Sequence, residues 1–222
     1  MRIALLHTAN VHVATFDKLF ARMQRNVVPT HRVEPALLSR AQKDGLGAVR
    51  DETRAVLAEL AEADAVICTC STLGPLADEM ADVHPHIVRV DRPLMMQACQ
   101  DGEDILVAMC LDSTKDSTLN LLHECAKAQD RTIRPRVVMC AKAWAYFQSG
   151  DTDRYHAAIA KTLRDELSRS PKVDSIILAQ ASMAGAADLL RDCAVPVRSS
   201  PAMAAAYAIR LMATLSKRES HG

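Results

Sequence analysis

The chain has 222 residues, and its 27 Lys and Arg residues balance its 27 Asp and Glu residues, so its formal net charge is zero. A chain of this length can bury a real hydrophobic core, either as one sizeable domain or as two small ones. The balanced charge and an aromatic content of only 3% argue against a nucleic-acid partner, because such partners need basic patches and stacking surfaces.

The seven cysteines are an odd number, and they are scattered through apolar segments. This usage is typical of reduced thiols and predicts a cytoplasmic protein without a disulfide framework. The N-terminal apolar run is too short for a signal peptide, and no apolar stretch approaches the length of a membrane span. We therefore expect a soluble protein with no membrane partner.

Strands and helices alternate along the first half of the chain. Apolar runs predict strands at 3–6, 65–67 and 87–90, with a further strand within 27–33. Helical spacing of apolar residues predicts helices at 16–23 and 48–63. After the central strand at 65–67, a Gly74-Pro75 turn leads into another helix around 76–80.

The second half continues the alternation. We predict strands at 104–111, 137–140, 175–179 and 195–198, and helices at 94–99, 119–129, 153–169 and 203–215, with one more helix after 175–179. The hydroxyl-rich run 112–118 offers N-cap residues for helix 119–129. Strands that alternate with helices of this length indicate βαβ units and parallel sheets.

An internal repeat links the two halves. Residues 63–78 align without a gap with residues 173–188, so that Asp64 matches Asp174 and Ile67 matches Ile177. The repeat predicts an α/β protein with two pseudo-symmetric flavodoxin-like lobes, each with a mainly parallel sheet flanked by helices. We assign 1–96 plus 200–222 to the first lobe and 97–199 to the second. The alternative is a single flavodoxin-like sheet with an irregular tail.

Cys70 follows the central strand of the first lobe, and the repeat places Gln180 at the matching position of the second lobe. A helix start after a parallel strand can hold an anion and lower the pKa of a thiol, so Cys70 is a thiolate candidate. The alternative is a small, buried and inert thiol. Thr72 matches Ser182, and we expect both hydroxyls to approach the same anion.

Other polar residues follow neighbouring strands. His7 and Asn10 follow the first strand, where His7 binds substrate, acts as a base or is simply structural. Thr114 and Thr118 are either helix caps alone or caps that also bind a carboxylate. The Cys68-Thr69-Cys70 pair lacks a second pair, and the histidines at 84 and 86 lie in a distant connection, so we expect no metal site.

These motifs resemble those of the aspartate/glutamate/hydantoin racemase superfamily. Cys70-Ser71-Thr72 resembles its first-lobe Cys-Asn-Thr motif. Residues 178–185, LAQASMAG, resemble the second-lobe motif Leu-Gly-Cys-Ala-Gly-Met-Ala-Gly of the hydantoin racemases, except that Gln180 replaces the cysteine. Thr114 and Thr118 resemble the paired threonines that open a second-lobe helix in several relatives.

The resemblance implies two lobes with the substrate between them and chemistry without a cofactor. In the racemases, one thiolate removes a proton and the opposite thiol returns one. Gln180 cannot exchange protons in the useful pH range, so two-thiol racemisation is disfavoured. The superfamily also contains single-cysteine decarboxylases, which usually keep the second-lobe cysteine, and isomerases with a nucleophilic first-lobe cysteine.

We therefore predict an isomerase-like or decarboxylase-like enzyme that acts on a small carboxylate, with Cys70 as base or nucleophile. The predicted substrate-binding residues are His7, Asn10, Ser71, Thr72, Thr114, Thr118, Gln180 and Ser182. The alternative is a carboxylate-binding or regulatory protein that kept the fold after losing one thiol. Relatives commonly form dimers or larger assemblies, which implies a homodimer or larger homo-oligomer.

Overall fold

The structure of the protein is a computed structural model that describes residues 1–23, 26–170 and 172–219, with side chains of the last helix described as far as residue 215. Four strands and four helices come first along the chain: β1 (Arg2–His7), α1 (Val11–Met23), β2 (Val28–Val33), α2 (Pro35–Asp44), α3 (Arg50–Leu60), β3 (Ala65–Cys68), α4 (Gly74–Ala81) and β4 (Ile87–Arg89). The remaining elements are α5 (Arg92–Asp101), β5 (Asp104–Met109), α6 (Lys115–Ala128), β6 (Arg134–Met139), α7 (Trp144–Gln148), α8 (Thr152–Arg169), β7 (Ser175–Leu178), β8 (Val197–Ser199) and α9 (Ser200–Glu219).

The strands form two four-stranded parallel sheets with the same order, β2-β1-β3-β4 and β6-β5-β7-β8. In the first sheet Leu6 pairs with Cys68, and in the second Ala108 pairs with Leu178. The predicted fold class, two lobes that each contain a parallel sheet flanked by helices, is confirmed.

The repeated aspartates perform the same task in both sheets. Asp64 accepts a hydrogen bond of 2.7 Å from the backbone N–H of Arg2, at the start of β1. Asp174 accepts from the N–H groups of Glu103 and Asp104, at 2.8 and 2.9 Å, at the start of β5. Each carboxylate therefore ties the start of the central strand to the start of its neighbour, which explains why this residue recurs in the sequence.

The contacts divide the chain into two compact units. Unit 1 contains Met1–Asp91 and Pro201–Gly222, and unit 2 contains Arg92–Ser200. In unit 1, α9 returns to one face of the first sheet, where Ala204, Ala208 and Met212 pack with Ile3 and other apolar residues. In unit 2, the core between the second sheet and α8 is built around the fully buried Tyr155.

Two local expectations differ from the structure. Gly74 and Pro75 lie in the first turn of α4 and not in a turn before it, because proline fits the first helical turn without losing a hydrogen bond. After β7, residues Ala181–Leu190 form a 3-10 helix instead of an α-helix. Within 1–23, 26–170 and 172–219, no helix is both long enough and apolar enough to cross a membrane.

Candidate functional site

The structure brings the predicted residues together at the carboxyl ends of central strands, separately in each unit. In unit 1 they follow the adjacent strands β1 and β3, and in unit 2 they follow the adjacent strands β5 and β7. Loops at the carboxyl ends of neighbouring parallel strands lie side by side, where α/β proteins commonly bind ligands. The residues are His7, Asn10, Cys70, Ser71 and Thr72 in unit 1, and Thr114, Thr118, Gln180 and Ser182 in unit 2.

Cys70 lies between β3 and the 3-10 turn Ser71–Leu73, with 7% of its surface exposed. Burial raises the pKa of its thiol. Contacts from the Thr8 hydroxyl and from the backbone N–H groups of Leu73 and Thr72 oppose this shift, because they favour the thiolate. The helix start therefore acts in the expected direction, but burial outweighs it and Cys70 is a thiol of raised pKa.

The two residues after Cys70 are both buried. The hydroxyl of Thr72 also favours the Cys70 thiolate, yet it forms no hydrogen bond of normal geometry with any described residue. An enclosed hydroxyl without a partner carries an energetic cost of about 1–3 kcal/mol. The Thr72 hydroxyl is therefore an unused donor beside Cys70, but it is enclosed, and a ligand oxygen would reach it only after a local opening.

His7 is fully buried at the end of β1, and both of its ring nitrogens are engaged. Its Nδ1 lies 2.8 Å from the Thr69 hydroxyl, and its Nε2 lies 2.8 Å from Nδ1 of His31. His31 in turn contacts the exposed carboxylate of Asp17 at 3.1 Å. Burial, followed by repulsion from His12 and His31, lowers the pKa of His7 to about 3. The sequence identified His7 but neither partner on β2 and α1.

His12 lies in the first turn of α1 and stacks on His7, with 6.0 Å between ring centroids. Burial lowers its pKa to about 4. Asn10, two residues earlier, is exposed, and its backbone carbonyl accepts from the N–H of Val13 at 3.1 Å. Within the described part of the chain, no three or more His, Cys, Asp or Glu residues are grouped so that they could hold a metal ion.

Gln180 occupies in unit 2 the place that Cys70 occupies in unit 1, directly after the central strand. Its side-chain Oε1 accepts from the backbone N–H of Cys110 at 2.6 Å and from that of Leu111 at 3.3 Å. Both donors lie just beyond β5. The glutamine carbonyl therefore joins the loops that follow β5 and β7, across 70 residues of sequence.

Ser182 is held by a residue that sequence analysis did not identify. Its hydroxyl lies 2.9 Å from the hydroxyl of Tyr155, which projects from α8. Tyr155 also contacts the thiol of Cys110, whose pKa burial raises to about 11. The backbone carbonyl of Ser182 lies 3.0 Å from Nε2 of His156. The sequence predicted a helix over 153–169 but gave no signal for the polar contacts of Tyr155.

The two threonines of unit 2 differ in their contacts. Thr114 precedes α6, but its hydroxyl donates back to the carbonyl of Leu111 at 2.6 Å and makes no N-cap hydrogen bond. The expectation of a hydroxyl cap from Thr114 is therefore wrong, because the preceding 3-10 turn offers a nearer acceptor. Thr118 is fully buried in α6, and its hydroxyl has no hydrogen-bond partner among the described residues.

A buried ion cluster supports the loop that carries Cys70. Arg89, at the end of β4, donates to Asp91 through Nε and Nη2, at 2.7 and 3.0 Å, and to Asp78 through Nη1 at 2.7 Å. The guanidinium packs against Gly74, where an added Cβ would lie 2.6 Å from its carbon. A glycine at the start of α4 thus permits the close approach of Arg89.

A cavity of about 270 Å³ opens at the opposite, amino end of the second sheet. Arg134, Arg136 and Lys172 line it together with Asp104. Its cations are already paired: Arg134 and Lys172 contact Asp104 at 2.8 and 3.4 Å, and Arg136 contacts Glu166 at 3.5 Å. This cavity contains none of the predicted site residues.

No protein-family model and no curated protein matches the chain. Its structure is similar to that of the Picrophilus torridus aspartate racemase, with a TM-score of 0.70 and 14% identity over 96% of this chain and 94% of that chain. It is also similar to the allantoin racemase from Pseudomonas fluorescens, with a TM-score of 0.61 and 16% identity over 96% and 92% of the two chains. For arylmalonate decarboxylase the TM-score is 0.60 and the identity 15%, again over 96% and 92%.

These structures include racemases and a decarboxylase on one architecture of paired parallel sheets. The resemblance that the sequence motifs indicated is confirmed for the fold. The chain shares its fold with an aspartate racemase, an allantoin racemase and arylmalonate decarboxylase.

Proposed function

We propose that the protein is a cofactor-independent enzyme that acts on a small carboxylate through one cysteine, Cys70. The observation that carries the proposal is the setting of Cys70: a thiol at the carboxyl end of a central strand, in contact with Thr8 and two backbone N–H groups. A superfamily fold that includes an aspartate racemase and arylmalonate decarboxylase supports the same class of reaction.

The raised pKa of Cys70 favours one direction of proton transfer. A thiol that is protonated at neutral pH serves better as a general acid than as a base. We therefore favour a decarboxylase-like reaction of a substituted malonate. The bond to one carboxylate breaks and releases carbon dioxide, its electron pair forms an ene-diolate, Cys70 donates its proton to carbon, and the thiolate regains a proton from water.

Hydroxyls at the strand ends are the proposed anion holders. Thr72 and Thr118 each bring a hydroxyl without a partner among the described residues, and a substrate oxygen would satisfy either one after a local opening exposes it. We assign five further substrate contacts, namely Asn10, Ser71, Thr114, Gln180 and Ser182. Because both nitrogens of His7 are engaged, we propose that His7 positions the β1 loop and the Thr69 side chain instead of touching the substrate.

A second candidate function is a carboxylate-binding or regulatory protein. The raised pKa of Cys70 and the amide at position 180 favour this alternative, because neither group is prepared to remove a proton from carbon.

We further propose that the protein acts in the cytoplasm as a homodimer or larger homo-oligomer, with its seven cysteines free as they are in the structure.

Proton NMR in heavy water tests the proposal directly. The purified protein is incubated with pooled amino acids, 2-substituted malonates, maleate and hydantoins, beside a Cys70→Ala variant. The matched control is Cys68→Ala, which removes a buried thiol at the end of β3 that donates to the backbone carbonyl of Cys70 at 3.9 Å and not to its side chain. Deuterium uptake, decarboxylation or isomerisation that Cys70→Ala abolishes and Cys68→Ala retains supports the enzyme. No change in any compound favours the binding protein.

A further inference from the structure

The orientation of the Gln180 amide follows from its partners. Its side-chain oxygen position contacts two backbone N–H groups, those of Cys110 and Leu111. An NH2 group placed there would face two donors and could accept from neither, so only the carbonyl fits. The two contacts therefore fix the opposite end of the amide, the NH2 group, in one direction.

This NH2 group is a donor without a partner in the part of the chain that the structure describes. Gln180 is 92% buried, since 8% of its surface is exposed, and Nε2 makes no hydrogen bond to any described residue. Nε2 is not fully enclosed, however, so part of its surface remains accessible to a ligand. A buried, fixed and accessible N–H donor needs an acceptor, and a carboxylate oxygen is the strongest that a small ligand can provide.

We propose that Gln180 is a specificity-determining residue whose amide nitrogen donates a hydrogen bond to a carboxylate oxygen of the ligand. This inference rests on the proposed function and deepens it, because it gives the position of the missing thiol a different task. Gln180 holds the ligand and exchanges no proton with it.

Two substitutions separate the donor from the loop contact. Gln180→Glu can keep one oxygen on the N–H groups of Cys110 and Leu111, but presents a second, negatively charged oxygen where the NH2 group was. Gln180→Met has a similar length and removes both functions. Amide hydrogen exchange at Cys110 and Leu111 should remain slow in Gln180→Glu and become faster in Gln180→Met, which reports whether the loop contact persists.

The test is a titration of the full-length protein followed by 15N–1H NMR. The side-chain NH2 resonances of Gln180 are assigned by their disappearance in Gln180→Glu. Malonate, phenylmalonate, maleate and both enantiomers of aspartate serve as probes, with sodium chloride at equal ionic strength as the control. We expect at least one carboxylate to shift the Gln180 resonances and chloride to leave them unchanged. We expect Gln180→Glu to bind that probe about 10- to 100-fold more weakly.

Failure of this inference and failure of the proposed function give different results. Unshifted Gln180 resonances with every carboxylate, or unchanged affinity in Gln180→Glu with slow exchange at Cys110, overturn the role of Gln180 even if Cys70-dependent turnover is present. Shifted resonances without Cys70-dependent turnover of any compound overturn the enzyme and leave Gln180 as a ligand donor in a binding protein.

Discussion

Nε2 of His7 lies 2.8 Å from Nδ1 of His31, so one of these two nitrogens must donate and the other accept. When both rings are neutral and His31 donates to the Asp17 carboxylate, His31 accepts from His7 and His7 accepts from the Thr69 hydroxyl. The Thr69 hydroxyl then gives up its other acceptor, the backbone carbonyl of Leu6 at 3.0 Å. Four side chains from α1, β1, β2 and the β3 loop thus form one directed chain of hydrogen bonds. A proton added to His7 would disrupt this order inside the core.

The first prediction concerns acid stability. The pKa of His7 is lowered to about 3 and that of His12 to about 4, from an ordinary value near 6.5. Between pH 6.5 and the lowered pKa values, the unfolded chain binds more protons than the folded protein does. The free energy of unfolding is therefore unaffected by these two groups above pH 6.5 and decreases as the pH falls below it. Each histidine contributes a loss on the order of 1 kcal/mol per pH unit. Urea unfolding at pH 7.5, 6 and 5 measures this slope.

The matched variants for this prediction are His12→Phe and His123→Gln. His12→Phe keeps an aromatic ring beside His7 but removes one titrating group, so the slope should decrease. His123 is exposed on α6, and replacing it should leave the slope unchanged. An equal slope in the wild type and His12→Phe would contradict the burial of a neutral His12.

The second prediction concerns the reactivity of Cys70. Because the Thr8 hydroxyl favours the thiolate, Thr8→Val should raise the pKa of Cys70 further. Loss of one hydrogen bond to a charged sulfur corresponds to roughly tenfold slower alkylation by iodoacetamide at pH 7.5. Peptide mass spectrometry follows each cysteine separately, and the partly exposed Cys193 is the internal reference. An unchanged ratio of the two rates would show that Thr8 does not act on the sulfur.

The third prediction concerns the ion cluster of Arg89. Arg89→Met leaves Asp91 fully buried without its cation, and breaking a buried pair in this way costs about 3–5 kcal/mol. The control is Arg134→Met, because Arg134 is an exposed residue paired with Asp104 and its removal should change stability little. Chemical denaturation measures both variants. Comparable losses in the two would refute the assignment of Arg89 as a buried support of the Cys70 loop.

The fourth prediction separates single-cysteine chemistry from racemisation. If the proposed decarboxylation through Cys70 takes place, the wild-type protein should deliver deuterium to one face of the product carbon. Gln180→Cys restores a thiol at the second-lobe position and should lower the enantiomeric purity of the product, whereas Gln180→Ser, which lacks an ionisable thiol, should not. Chiral chromatography of the product in heavy water distinguishes them. Equal purity in both variants would mean that a thiol at position 180 does not reach the reacting carbon.

Much of the fold was accessible from the sequence because burial and periodicity are local signals. The apolar runs around Ile67 and Ile177 identified both central strands, and the recurring aspartates revealed the duplication. The 3-10 helix after β7 was not predicted, since its composition of small residues does not distinguish it from an α-helix.

The contacts of the candidate site were less accessible. Gln180 was identified by its place in the repeat, but its bonds to Cys110 and Leu111 depend on the alignment of strands 70 residues apart. The same holds for Thr8 beside Cys70, which the register of β1 on β3 brings together. The net rise in the pKa of Cys70 depends on the balance between burial and polar contacts, and sequence indicates only the second.

Helix α9 covers one face of the first sheet, where Ala204, Ala205 and Ala208 pack with Ile3 and Leu5. On the ribosome this helix is synthesised only after all of Arg92–Ser200, which is contiguous and forms its own core. The apolar face of the first sheet therefore remains exposed to solvent while the second unit is synthesised. Unit 1 therefore begins to emerge before unit 2 but completes its core after it, and its apolar surface is exposed to aggregation or to chaperones for longer during synthesis.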